Sequence, residues 1–157
     1  MQAISQRSIQ PSRQHPAALL AGATLLLVCA GALAQTPPPA NTDARITVAP
    51  ASGASPGGTC TTQSGFRICV DKDPVPTPAV AVGAPVQITW NLSGTGWTWV
   101  RNNKGIDIRN PRDWKPKQES DTRYIATNKK ENGVRYKYDV NVTNGTVTLK
   151  WDPSIMN

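Results

Sequence analysis

The stretch from Val134 to Trp151 reads VRYKYDVNVTNGTVTLKW. Val134, Tyr136, Tyr138, Val140 and Val142 alternate with Arg135, Lys137, Asp139, Asn141 and Thr143. After Asn144-Gly145, Val147, Leu149 and Trp151 alternate with Thr146, Thr148 and Lys150. Successive side chains of a strand point to opposite faces, so each run has one apolar face. Asn-Gly suits a two-residue hairpin turn, whose central residues need positive φ. Such a turn predicts Val142 opposite Val147, Val140 opposite Leu149 and Tyr138 opposite Trp151. On the other face Asp139 meets Lys150 and Asn141 meets Thr148. A one-residue slip would mix the faces, so the pattern specifies the register.

The same period recurs upstream. Val86, Ile88, Trp90 and Leu92 alternate with Gln87, Thr89 and Asn91, which predicts a half-buried strand. Ser93-Gly94-Thr95-Gly96 is a turn, and Trp97-Thr98-Trp99-Val100 a returning strand. Ile106-Asp107-Ile108 and Tyr124-Ile125-Ala126 are short strands in a polar middle running from Arg101 to Gly133, where Pro111 and Pro116 break anything longer. Asp73 to Pro85 holds four prolines and reads as an extended connector, with Ala79-Val80-Ala81-Val82 a short edge strand. No segment after residue 34 keeps a 3.6-residue apolar period over three turns. The expected fold is all-β, an immunoglobulin-like β-sandwich of about six to eight strands. A small closed barrel is the alternative.

Cys60 to Cys69 reads as a second hairpin around Ser64-Gly65. A two-residue loop there sets Gln63 opposite Phe66, Thr62 opposite Arg67, Thr61 opposite Ile68 and Cys60 opposite Cys69. Counted out from the turn, the cysteines fall on a non-hydrogen-bonded pair, where the backbones come closest. A cross-strand disulfide is predicted. Two thiolates without a histidine do not complete the usual zinc set.

The first 34 residues have the three parts of a cleavable signal. Arg7 and Arg13 precede an apolar stretch from Ala17 to Ala34, and Ala32-Leu33-Ala34 is a small-x-small exit. A retained membrane anchor is the alternative, since the stretch is barely long enough to span a bilayer. Cys29 lies within it, but Val28 before it is too bulky for lipidation, so it is expected to leave with the signal. The division is therefore a signal peptide over 1–34, a flexible Pro/Gly/Ala-rich leader over 35–58 and a β-sandwich domain over 59–157. Within the leader only Arg45-Ile46-Thr47-Val48-Ala49 alternates, as an edge strand would. The exported chain would be periplasmic or secreted.

Ile88-Thr89-Trp90-Asn91-Leu92, Gly96-Trp97-Thr98-Trp99 and Gly105-Ile106-Asp107-Ile108 resemble a group of small exported proteobacterial β-domain proteins. The alternating run from Tyr136 to Val142 and the closing Trp151-Asp152-Pro153-Ser154-Ile155-Met156-Asn157 strengthen the likeness, which covers residues 86–157. That group has no assigned activity. The resemblance implies an exported β-domain and no functional residue.

The chemistry is narrowed mainly by exclusion. Removing the signal removes the only histidine, His15, and leaves 123 residues of formal charge +5. A serine or cysteine device built on histidine is then excluded, as is a cupredoxin copper site. No Gly-rich phosphate loop is present. No cofactor, no metal and no catalytic residue are expected, and the chain is read as a non-enzyme. Asp107, Asp113, Glu119 and Asp121 lie close in sequence, as paired glycosidase acids do, but cations are interleaved with them. Three N-glycosylation patterns, at Asn91, Asn141 and Asn144, coincide with strand and turn positions and are read as chance.

Two features point to binding. Trp97 and Trp99 share a strand face beside Arg101, while Trp114 sits in a polar loop as the most exposed of five tryptophans. Arg101 to Lys137 carries 11 Lys and Arg against 5 acids. Trp97, Trp99, Arg101, Lys104, Arg109 and Trp114 are thus the candidate binding residues, set against core packing and a solvated charged surface. The expected function is a non-catalytic exported module that binds an anionic envelope polymer or another protein. No specific nucleic acid and no retained membrane anchor are expected. The alternatives are an extracytoplasmic enzyme inhibitor, presenting Asn110 to Ser120, or a surface-assembly component that exchanges the Arg45–Ala49 strand.

Overall fold

The computed structural model describes residues 37–109 and 114–157. The expected signal peptide, and Asp113 with its neighbours in 110–113, lie outside the described residues. Among the described residues no helix occurs, and twelve strands form two mixed sheets that do not close into a barrel. The sandwich class follows the alternation in the sequence.

The first sheet has the order β2-β3-β1-β5-β9-β8. These are β1 (Ala40–Pro50), β2 (Thr59–Gln63), β3 (Phe66–Val70), β5 (Pro85–Ser93), β8 (Lys115–Gln118) and β9 (Arg123–Lys129). The flexible leader is corrected here. Residues 40–50 are an interior strand, parallel to β5 from Ala40 to Thr47 and antiparallel to β3 from Ile46 to Pro50. Ala44, Ile46 and Val48 reach the core, and pairing on both edges satisfies the backbone that a lone proline-flanked segment would leave to water. The sandwich therefore begins at Ala40, not at 59. Ile46 and Thr47 are paired on both sides, so the Arg45–Ala49 run is no free edge for strand exchange.

The second sheet is built on β10 (Arg135–Thr143). β11 (Thr148–Trp151) and β12 (Ser154–Met156) pair with it in one continuous register, interrupted at Asp152-Pro153. There Tyr138 N–H donates to the Pro153 carbonyl at 3.1 Å. β6 (Thr98–Trp99) and β7 (Ile106–Ile108) also pair with β10, and β4 (Val75–Pro76) runs parallel to β12. Trp97–Val100 thus does not return along β5; its middle crosses to the other sheet. The edge strand expected at Ala79–Val82 is not formed, and Val82 is exposed. Pro116 does not end structure but sits within β8, on the sheet edge where a missing N–H costs no ladder bond.

The Cys60–Cys69 hairpin has the expected register throughout, with the disulfide formed and the Cα atoms 4.1 Å apart. Ser64 and Gly65 both have positive φ, 49° and 78°, as its two-residue turn requires. The Asn144-Gly145 hairpin differs: Val142 faces Leu149 and Val140 faces Trp151. The Asn144 side chain accepts the N–H groups of Thr146 and Val147 at 3.0 and 2.8 Å, which widens the loop to four residues. The shift is two residues, so the apolar face survives.

The inner faces share one core. Trp90 packs on Tyr138, ring centroids 5.4 Å apart, and Trp99 lies edge-on to Tyr124 at 5.6 Å. Gly105 passes close over this second pair; a Cβ there would come 2.9 Å from the Trp99 Cβ. At the side of the sandwich the disulfide hairpin clasps the other sheet. Gln63 Oε1 accepts the Lys150 N–H at 3.0 Å, and its Nε2 donates to the Lys150 carbonyl at 2.5 Å. One side-chain amide therefore takes the place of a neighbouring strand at β11.

Candidate functional site

The structure separates the six residues expected to form one binding patch. Trp97, Trp99 and Trp114 are 5%, 0% and 3% exposed. Trp97 packs edge-on against Phe66 and Trp114 against Tyr136. An indole offers a large apolar area, and two facing sheets bury it wherever a strand or its flank points inward. Trp114, expected to be the most exposed, belongs to this set. The three tryptophans are core, and no exposed aromatic platform forms from them.

The three cations are exposed and lie on the segments flanking β7, whose preceding loop also reaches the first sheet where the Asn103 side chain accepts the Gln118 N–H at 3.1 Å. Arg101 and Lys104 lie in the β6–β7 loop, where Asn102 and Asn103 adopt positive φ and the Asn141 side chain donates to the Lys104 carbonyl at 2.8 Å. Arg109 is engaged by Asp139 at 2.6 Å and reaches Asp152 at 3.5 Å. Lys150 holds the other Asp139 oxygen at 2.8 Å. Asp139 points to the outer face yet is only 6% exposed, and Asp107 stands directly opposite it on β7. Like charges in that position repel, and the two cations offset this. A shallow depression of about 480 Å³ lies beside the cluster, lined by Lys104, Asp107, Asp139 and Lys150 among others.

Burial alone would raise the Asp139 carboxyl. Lys150 and then Arg109 outweigh it and hold the group below the ordinary 3.8. A depressed native pKa stabilises the fold above the unfolded value, and that gain disappears as pH falls through the native one. Asp139→Asn is expected to cost about 1–2 kcal/mol at neutral pH, after discounting for the half-exposed cations. Urea titrations should show the gap between variant and wild type closing below pH 3.8. A gap that stays constant into acid would show the charge to be irrelevant.

The titratable tyrosines are built into the core. Burial, with Glu131 accepting its hydroxyl proton at 2.6 Å, pushes the Tyr136 phenol up to about 12. Tyr138 is driven higher by burial, with the Trp90 indole partly opposing. Both stay neutral over the ordinary pH range. Among the described residues no group of three His, Cys, Asp or Glu is placed to hold a metal ion.

The larger feature is the outer face of the first sheet. Strand pairing lays its residues out in rows. Arg45, Asn91 and Arg123 form one row across β1, β5 and β9. Asp43, Thr89, Ile125 and Lys117 form the next, continuing onto β8, and Asn41, Gln87, Thr127 and Lys115 the one after. Lys129 stands beyond them at the end of β9. Successive rows are about 6.6 Å apart, two residues of strand rise. Arg123 is shared with Glu119 at 3.1 Å. Among the described residues Lys115, Lys117 and Lys129 have no acidic group within 4 Å. The face is thus rich in amide and hydroxyl groups and positive along its β8–β9 side, where Lys115, Thr127 and Lys129 border a depression of about 340 Å³. Sequence reading placed Lys115, Lys117 and Arg123 in a basic stretch without singling them out. Their period-two spacing on paired strands was the available signal.

No protein-family model matches the chain, and no curated protein sequence matches it significantly.

Proposed function

We propose that the protein is an exported, non-catalytic β-domain that binds an anionic envelope component through the outer face of its first sheet. The observation that carries the reading is the grouping of Lys115, Lys117 and Lys129 on one sheet face without acidic partners among the described residues. Cations arranged so attract and retain polyanions. The Cys60–Cys69 disulfide is compatible with an oxidising compartment, and the three-part N-terminal pattern supports a periplasmic or secreted destination. The resemblance to small exported proteobacterial β-domain proteins supports the same placement.

Binding of polyphosphate, followed by fluorescence anisotropy over a salt series, tests this. Four contacts, from Lys115, Lys117, Arg123 and Lys129, predict a slope of about −3 in log affinity against log salt. Lys117→Gln should reduce the slope by roughly 1. Neutralising Arg101 and Lys104 together should change it less than neutralising Lys115, Lys117 and Lys129. Affinity independent of salt, or equal effects from the two sets, would remove this face as the site.

A further inference from the structure

At one end of the cationic face lies a groove of different chemistry. Thr47, Pro50, Phe66, Ser93, Thr95 and Trp97 line a depression of about 530 Å³ between the end of β1 and the β5–β6 turn. Among the described residues no charged one lines it, although the chain is strongly basic. Its walls are the hydroxyl groups of Thr47, Ser93 and Thr95, the aliphatic Val48, Ala49 and Pro50, and the half-buried Phe66, with only the rim of the buried Trp97 reaching it. The groove is continuous with the basic face. Thr47 and Ser93 are strand partners, and the row below them along the same strands is Arg45–Asn91–Arg123. One strand repeat, about 6.6 Å, therefore separates neutral lining from the first pair of arginines.

We infer that the ligand of this face is an acidic polysaccharide that carries both uncharged and carboxylated sugar units. The inference rests on the anion-binding reading above and names the class of anion. A sugar ring presents an apolar C–H face and a rim of hydroxyls, which suits walls that mix apolar and hydroxyl-bearing side chains. A neutral unit occupies the groove. Carboxylates on the side facing the basic rows then fall over Arg45 and Arg123 and, farther along, over Lys117 and Lys115. Polyphosphate or a nucleic acid would place charge at every step, including in a groove that offers none in return. An anionic bilayer would present a plane and have no use for a depression beyond the basic rows.

Three probes separate these occupants: hyaluronan fragments of alternating glucuronate and N-acetylglucosamine, polyphosphate of matched charge, and anionic phospholipid vesicles. At equal salt the purified protein should bind hyaluronan fragments more tightly than polyphosphate, and vesicles least. Thr95→Trp, at an exposed turn position, puts a large side chain at the groove without replacing a core residue. It should weaken hyaluronan binding at least roughly fivefold and leave polyphosphate binding unchanged. Lys117→Gln should weaken both. Equal or tighter binding of polyphosphate, or no effect of Thr95→Trp, overturns the polysaccharide assignment and leaves the basic face standing. Failure to bind any of the three overturns both.

Discussion

Replacing Trp99 by alanine is expected to lower the free energy of unfolding by about 3–5 kcal/mol. The indole is fully buried, lies edge-on to Tyr124 and sits beneath Gly105. Its strand, β6, is only two residues long and joins the second sheet through Trp99 opposite Val142. The surroundings cannot collapse into the vacancy, because β9 and β10 hold their positions through long ladders on either side. A domain of this size has a total stability of about 5–15 kcal/mol, so the variant would keep only part of its cooperative transition. Urea denaturation followed by circular dichroism and by the remaining tryptophan fluorescence gives the loss directly. A change below about 1 kcal/mol would mean that the indole is not packed as described.

Removing the disulfide by Cys60→Ala with Cys69→Ala is expected to cost about 2–3 kcal/mol by the loop-entropy relation. The figure falls toward the lower end if the hairpin retains its turn without the bond. A second effect should appear at a distance. The staple holds β2, and β2 carries Gln63 to the backbone of Lys150. Hydrogen exchange at the Lys150 amide should therefore accelerate in the variant more than at Leu149, whose amide lies within the β10–β11 ladder. Equal acceleration at both would show a loss of global stability only and no specific loosening of the clasp.

Period-two alternation with a strong turn signal was legible from sequence. The Cys60–Cys69 hairpin came out residue for residue, because Ser64-Gly65 permits one short turn and the cysteines fix the register. The Asn144-Gly145 hairpin came out with its faces right and its pairing two residues off. The Asn144 side chain, bonding forward to two amides, is a local choice that strand patterning does not contain. β1 was read as leader because its flanks are rich in proline and alanine. What makes it a strand is parallel pairing with β5, some 46 residues onward from Ala40 to Val86, which no local window shows. The tryptophans were visible as residues but not as positions. Trp114 is buried by the Tyr136 ring from the opposite sheet, a contact that exists only after the layers meet. The basic face was hidden for the same reason: β8 and β9 bring their lysines and arginine onto one surface only through their register.

The clasp at Gln63 exposes this fold to slow chemical ageing. Its amide works because one end donates and the other accepts, matched to the carbonyl and N–H of Lys150. Deamidation would replace the donor with a carboxylate oxygen facing that carbonyl, so two acceptors would meet and repel. One hydrolysed amide, adding about a dalton to the mass and leaving every main-chain bond intact, would unfasten the hairpin from the opposite sheet.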